Sequence, residues 1–522
     1  LFTPYRHFPQ VALAEMVLLM LRRILVLTVG LNILRSKLNN MALIFNHRYS
    51  GYLIRCFKRL SWTALTVISA FMGHNLNADN WGVHSATEAS LLSGELLFPL
   101  PEPPTDLDYR EKGSPSAAKI ELGRMLFFDK ILSGNQNISC ATCHHPSAGL
   151  GDQLSLSIGE GGNLLGLGRD TGEGLDAVHE RVPRNAPDIF NLGAKEFVTI
   201  FHDGRVQQPF KNKNFFVTPA GETLPSKLEN ILAAQALFPV TSATEMAGQM
   251  GENTIANFAA EKDFTSIWNA LAERLRSIPA YVSLFEAAFP KIKNGSNELT
   301  FADAANAIAA FESQAFRFDN SPFDAFLRGD DDAMTVDEKM GMSLFYGEAK
   351  CASCHSGPFL TDHQFHATAM PQIGPGKNHG TSGREDFGRG AITEDAADNY
   401  KFRTPSLRNV ALTGPWGHDG AFSDLKEIVI HQLNPFDALA YYDRTQPVLT
   451  GRSDLDAIDW IAMDDAVAVD QLADACQIEP VNLEPDEIDQ LVSFLYALTD
   501  LRALDMTDII PSSVPSGLPV AD

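Results

Sequence analysis

SCATCHHPSAGLGD, residues 139–152, sets two cysteines three apart and follows the second at once with a histidine. Two thiols and an imidazole at that spacing can hold a metal, close a loop or take part in a covalent attachment. The pattern returns 211 positions later as CASCHSGPFLTD, where Cys351, Cys354 and His355 take the places of Cys140, Cys143 and His144. Four of the six cysteines are used in this way, leaving only Cys56 and Cys476, so the chain is not a disulfide framework.

The repetition extends outward from both motifs. GRMLFFDK (123–130) precedes the first and GMSLFYGE (341–348) the second; RNAPDIFN then IFHDGR (200–205) parallels RTPSLRNV then WGHDGA (416–421). From the motif histidine to the HDG histidine is 58 residues in the first half and 63 in the second. Apolar residues at three- and four-residue spacing predict helices over 116–128, 226–238, 301–316, 424–433 and 484–498. Long loops rich in Gly, Asn and Pro separate them, notably 146–187 and 366–400, and no alternation is strong enough for a sheet. The expected fold is mainly α: two cytochrome-c-like haem domains related by internal duplication, with long irregular loops.

Haem enters this expectation through the chemistry of CxxCH. At the start of a helix the two thiols reach the two vinyl groups of a haem, and the adjacent imidazole points at its iron. Zinc is the main competitor, because CxxC pairs also build tetrahedral sites. It would need further ligands near each pair, and neither half offers a second CxxC. Two covalent haem c groups therefore follow, with Cys140, Cys143, Cys351 and Cys354 as attachment points and His144 and His355 as iron ligands. A thioredoxin-like use of the pairs is weaker, since no strand–helix unit surrounds them.

Charge is unevenly placed. Residues 1–78 carry nine Lys or Arg and one acidic residue, whereas the remainder carries 32 basic and 64 acidic ones. Such a body repels nucleic acid and suits a basic partner or simply a soluble acidic surface. Arg55, Lys58 and Arg59, the apolar run LSWTALTVISAFMG and small Ala78 read as an export signal, which places the mature protein in the periplasm. An uncleaved leader acting as a membrane anchor is the alternative. Met41 is a candidate start, making 1–40 a start-site extension. The expected division is leader 1–78, first haem domain 79–296, second haem domain 297–505 and tail 506–522.

LGRMLFFDKILSGNQNISCATCH, RNAPDIFN, FHDGR, FPVTSATEM, CASCH, FRTPSLRNVALTGPWGHDG and FLYALTD together resemble the bacterial di-haem cytochrome c peroxidases and their MauG-type relatives, over about residues 115–500. The resemblance implies a peroxide-reactive haem in the first half and an electron-transferring haem in the second. Peroxidases of the family carry a distal His sixteen residues after the first motif; here that position is Glu160, with His179 the nearest loop substitute. The iron is then ready for peroxide without reductive activation. QALFPVTSATEM aligns Gln235 and Glu245 with the family's distal pocket, Glu245 as the acid–base group. Without the resemblance, a solvated Glu would be the better reading.

Fourteen residues beyond the second HDG histidine, relatives place Met or Tyr on the second iron; here the position is Gln432, preceded by His431. Gln432 as a weak ligand, His431 after a register change, and a five-coordinate iron stand in that order. Relatives have Trp where this chain has His202, between the haems, and imidazole is much harder to oxidise than indole. The family's calcium ion maps to Asn185 and the carbonyls of Thr413 and Pro415; Asn185 as a turn cap is the alternative.

The activity implied is reduction of hydrogen peroxide to water by an exported haem peroxidase, with electrons from a small cytochrome c or copper protein. MauG-like oxidation of residues on a partner protein is the second reading. A non-catalytic di-haem electron carrier is the third. The chain is read as binding no nucleic acid, with a homodimer as one assembly state.

Overall fold

The computed structural model describes residues 96–174, 177–209 and 215–520. The leader reading over 1–78 lies outside them. Among the described residues the chain is mainly helical, and the strands form two antiparallel pairs, each strand two residues long. β1 (Thr199–Ile200) pairs with β2 (Val206–Gln207), Ile200 opposite Val206, and β3 (Phe365–His366) pairs with β4 (Phe402–Arg403), Phe365 opposite Arg403. Each pair flanks an HDG loop or the segment leading to one.

Helix α1 (Ala117–Phe128) ends just before the first motif, which itself forms the single turn α2 (Cys140–Cys143). Then come α3 (Ile231–Gln235), α4 (Phe264–Arg276), α5 (Pro279–Ala288) and α6 (Phe301–Ala315). The second half holds α7 (Val336–Tyr346), α8 (Leu425–Leu433) and α9 (Pro485–Ala497). Four of the five helices expected from periodicity match to within two residues at each end. The fifth, over 226–238, shrinks to α3. Asn230 caps it by accepting the Ala233 N–H, and Pro239, which lacks an N–H, begins a separate turn. Helices α4 and α5 were not among those expected; Asp263 starts α4 by accepting the Ser266 N–H, and Pro279 opens α5.

Two cores follow from this order. In the first, α1 lies against α6, and Phe127, Phe128, Phe311 and Phe316 interlock at 5.2–6.3 Å between ring centres. In the second, α7 lies against α9, with Phe323, Phe345, Tyr346 and Phe494 doing the same. Both crossings turn on a glycine. A Cβ on Gly123 would lie 2.0 Å from the Ala307 carbonyl oxygen, and one on Gly341 would lie 1.9 Å from that of Gln490. The glycines of GRMLFF and GMSLFY thus let two helix backbones touch directly in front of each motif.

The helix beyond the expected boundary at 296/297, α6, packs into the first core, and the second core begins near Phe323. The segment expected as a tail from 506 also returns to the first core. Met506 and Val514 are buried there, and the Ser516 hydroxyl donates to Asp129 at 2.6 Å. Among the described residues no helix is long and apolar enough to cross a membrane.

Candidate active site

The two motifs present their histidines in the same way. Ser139 caps α2 in a reciprocal box with Thr142, and the His144 N–H closes the turn onto the Cys140 carbonyl at 3.0 Å. The second motif forms a 3-10 turn, and the His355 N–H reaches the Cys351 carbonyl at 2.9 Å. His144 Nδ1 then lies 3.1 Å from the carbonyl oxygen of Leu150, and His355 Nδ1 3.1 Å from that of Leu360. A carbonyl can only accept, so each Nδ1 carries the proton and each Nε2 keeps its lone pair. This is how proteins orient a histidine that ligates a metal. Leu150 and Leu360, which supply the carbonyls, are both left-handed, at φ +61° and +53°. That backbone is costly for a leucine and is held by the surrounding fold. Burial lowers the pKa of both imidazoles, which keeps them neutral.

The cysteines fit haem better than zinc. All four are unpaired, and burial pushes the thiols up, Cys140 and Cys351 to about 12. Among the described residues the only cluster of possible metal ligands is Cys354, Asp362 and His366. It has three members where a closed zinc site needs four, and His366 Nε2 already lies 2.8 Å from Asp362. The first motif has no such cluster.

Near the first motif, the segments carrying Glu160 and Glu245 adjoin. After α3 ends at Gln235, the turn Pro239–Thr241 leads into one turn of π-helix, Ala243–Ala247, capped by Ser242, whose hydroxyl accepts the Glu245 N–H at 3.3 Å. The Glu160 N–H donates to the Thr244 carbonyl at 3.2 Å, so the loop after the motif lies beside Glu245. A side chain on Gly159 would collide with that carbonyl, 1.9 Å from its Cβ. Asn135 and Asn137 each donate to Glu160 at 2.7 Å and fix its carboxylate. His179 is at the surface, its side chain 53% exposed and 3.8 Å from Glu252, and does not enter the pocket.

Glu245 is half-buried. Burial raises its pKa, opposed by Arg205, Lys377, the Ser242 hydroxyl and Arg184. Burial prevails, so the carboxyl holds its proton above the ordinary carboxylate range. The Gln235 side chain has no hydrogen-bond partner among the described residues.

The two HDG loops meet at Asn185. Its N–H donates to the His418 carbonyl at 2.9 Å, and its carbonyl lies 3.2 Å from His202 Nε2. Its amide nitrogen donates to the carbonyls of Leu154 and Ser155, at 2.9 and 3.2 Å, turning the amide oxygen away from them. The carbonyls of Thr413 and Pro415 accept no hydrogen bond among the described residues. Burial and the Arg184 charge lower His202 to about 4, so this imidazole is neutral.

One residue beside Asn185 has a role that sequence reasoning missed. Arg184 donates to Asp203 of the first HDG loop at 2.6 Å and, through two nitrogens, to Asp386 at 2.6 and 2.9 Å. All three are buried. Burial opposes both carboxylates, and Arg184 overrides it, holding them well below the usual range. Arg184 stands in the RNAPDIFN block, but its partners lie 19 and 202 residues away, beyond any local pattern.

At the end of α8, His431 is fully buried, and its Nε2 is engaged with the Thr368 carbonyl at 2.9 Å. Gln432 is half-buried, with no side-chain partner among the described residues. The 100° step between neighbours on a helix sends the two side chains different ways.

Residues 117–332 match the family model described as di-haem cytochrome c peroxidase. Methylamine utilization protein MauG of Methylorubrum extorquens is 31% identical over 318 residues, covering 60% of this chain and 68% of the relative. Cytochrome c551 peroxidase of Pseudomonas aeruginosa is 32% identical over 337 residues, covering 64% and 76%. The chain belongs to the di-haem cytochrome c peroxidase family. Its relatives are haem peroxidases, so this family member is an oxidoreductase, and membership implies two haem c groups. Among solved structures, a MauG-like protein associated with microbial copper homeostasis is similar at TM-score 0.50 and 26% identity, covering 79% of this chain and 96% of that one. The fit of both motifs to haem is thus matched by the family.

Proposed function

We propose that this protein is an exported peroxidase that reduces hydrogen peroxide to water, taking electrons from a small redox protein through its second haem. The observation that carries this reading is Glu245, held half-buried in a π turn against the loop that follows the first motif, with burial raising its pKa. Cys140, Cys143 and His144 would hold the haem that reacts with peroxide, and Cys351, Cys354 and His355 the other. When bound, the first haem would supply an iron that gives electrons to the peroxide O–O bond as it breaks.

Heterolysis of that bond requires moving a proton from the near oxygen to the far one, because hydroxide is a poor leaving group. Glu245 takes up the first proton as carboxylate and returns it as carboxylic acid, and Gln235 orients the peroxide by hydrogen bonding. Ser242 fixes the Glu245 backbone, and Asn135 and Asn137 keep Glu160 engaged so that it does not compete for the iron.

In the same reading, Gln432 is the sixth ligand of the second haem. A calcium ion between the halves takes the Asn185 amide oxygen and the carbonyls of Thr413 and Pro415, where a hard cation finds neutral oxygen donors. The two haem units arose by duplication and divide between α6 and Phe323. Replacing Glu245 by Gln lowers the rate of O–O cleavage by about a hundredfold or more, read by stopped-flow absorbance of the haem protein with peroxide. Unchanged kinetics would sink the assignment.

A MauG-like reaction on a partner protein is favoured by one observation: position 160 is a carboxylate tied to two asparagines, and His179 is at the surface, so no distal histidine must leave before peroxide binds. Reduced small cytochromes and copper proteins, assayed against oxidation of a co-expressed neighbour protein, separate the two. Six-coordinate spectra at both irons with no response to peroxide would instead mark an electron carrier.

A further inference from the structure

A run of aromatic rings leads away from α8 and takes no part in the peroxide site. The fully buried His431 ring lies 5.0 Å from Phe422, which is itself buried two residues after the second HDG motif. Phe422 meets Tyr442 edge-on at 5.4 Å, and Tyr442 lies 6.3 Å from Trp460. Trp460 is half-buried, with the Arg444 guanidinium 5.0 Å above its ring. The rings therefore run from the residue next to Gln432 outward to the surface.

We propose that Trp460 is a one-electron oxidation site, coupled through Tyr442 and Phe422 to the Gln432 side of the second haem, and that it serves as the outlet through which peroxide-derived oxidising equivalents reach an external electron donor. The proposal rests on the peroxide reading above.

The chemistry of each ring decides where an electron is lost. Phenylalanine and imidazole are too hard to oxidise and only bridge. Tyr442 donates its hydroxyl to the Ala421 carbonyl, and an amide oxygen is too weak a base to take the proton. Losing an electron without that proton is costly, so Tyr442 conducts and does not hold the charge. Trp460 differs, because its indole N–H donates to no protein group among the described residues. Arg444, itself paired with Asp464 at 2.7 Å, disfavours a positively charged indole and so promotes proton loss.

The balance closes. Hydrogen peroxide takes up two electrons and two protons to give two waters. One electron comes from the Trp460 indole, which releases its Nε1 proton to solvent and becomes a neutral radical. An external one-electron donor, such as a small reduced redox protein, returns the electron, and water returns the proton. A second passage supplies the second electron. Between the haems, His202 is an imidazole hydrogen-bonded to Asn185 and too hard to oxidise, so equivalents would pass from the first haem to the second by direct tunnelling before reaching Trp460.

The test treats the haem-loaded protein with one equivalent of hydrogen peroxide and no reductant. Freeze-quenched electron paramagnetic resonance should show a tryptophan radical, and peptide mass spectrometry should find hydroxylated Trp460. Trp460→Phe should lose both signals while the first equivalent of peroxide is consumed as fast as before. Tyr442→Leu should slow appearance of the radical without changing its identity. Peroxide consumed with Trp460 unmodified, or the same radical surviving in Trp460→Phe, would overturn the outlet and leave the peroxide reading intact. Failure of the unaltered protein to consume peroxide would overturn both.

Discussion

The first and second motif regions are nearly superimposable in their logic on one face and unlike on the other. On the near face, each has a helix pair crossing at a glycine, a CxxCH turn, and a left-handed leucine whose carbonyl fixes the histidine tautomer. On the far face, the proposed reading gives the first region Glu245, a carboxyl with its pKa raised by burial, and the second Gln432, which carries no titratable proton. Holding a haem needs one fixed arrangement of short-range contacts, and both regions have it. In the proposed reading the far faces differ because breaking a peroxide bond needs a proton shuttle that electron transfer does not.

Deleting one region at a time breaks the comparison most severely. Cys140→Ser with Cys143→Ser should halve the covalently bound haem and abolish peroxide reduction. Cys351→Ser with Cys354→Ser should halve it too, but leave the first reaction with peroxide while stopping turnover driven by a redox protein. Haem-stained gels and stopped-flow absorbance give the two readouts, and a peroxide reaction surviving the first pair of changes would reverse the assignment of faces. The Glu245→Gln loss described above comes next and should spare electron exchange at the second haem.

Arg184 ties the regions together. Arg184→Ala leaves Asp386 buried without a cationic partner and Asp203 with Arg205 alone, and should destabilise the protein by about 3–5 kcal/mol, measured by denaturant unfolding. A change below the resolution of that measurement would show that water replaces the guanidinium.

Gly123→Ala and Gly341→Ala sharpen the likeness of the near faces. Each places a methyl against a helix carbonyl and should cost about 1–3 kcal/mol, with a similar value for both. A cost at only one position would show that the crossings are not equivalent.

The smallest effect is on pH dependence. Burial pushes Glu312 of the first region and Asp419 of the second up to about 8. Each therefore holds a proton in the folded protein that the unfolded chain has lost above about pH 4. Stability is full below that range and falls as pH rises toward 8. Glu312→Gln should flatten part of this decline in the melting temperature, and an unchanged slope would remove Glu312 as a source.

The helices at 117–128, 301–315, 425–433 and 485–497 were legible in the sequence, because one buried stripe repeats every three to four residues and Ser, Thr, Asp and Pro mark the starts. Over 226–238 the same periodicity overran, since Asn230 and Pro239 cut the helix short at both ends. That Glu245 and Glu160 stand on adjoining segments was legible only through family blocks. The contact between Glu160 and Thr244 spans 84 residues and leaves no local trace. Arg184 went unread for the same reason, as did the return of Ser516 to Asp129.

The sequence by itself determined that two thiol–imidazole motifs recur, that a GxxLF block precedes each, and that the chain is helical, because these properties depend on neighbours a few residues apart. Only the tertiary structure decided which nitrogen of each motif histidine meets a carbonyl, that His179 stays at the surface, that His431 Nε2 faces the Thr368 carbonyl, and where α6 and the last residues pack. Those outcomes depend on burial and on partners far along the chain, which come together only when the helices cross.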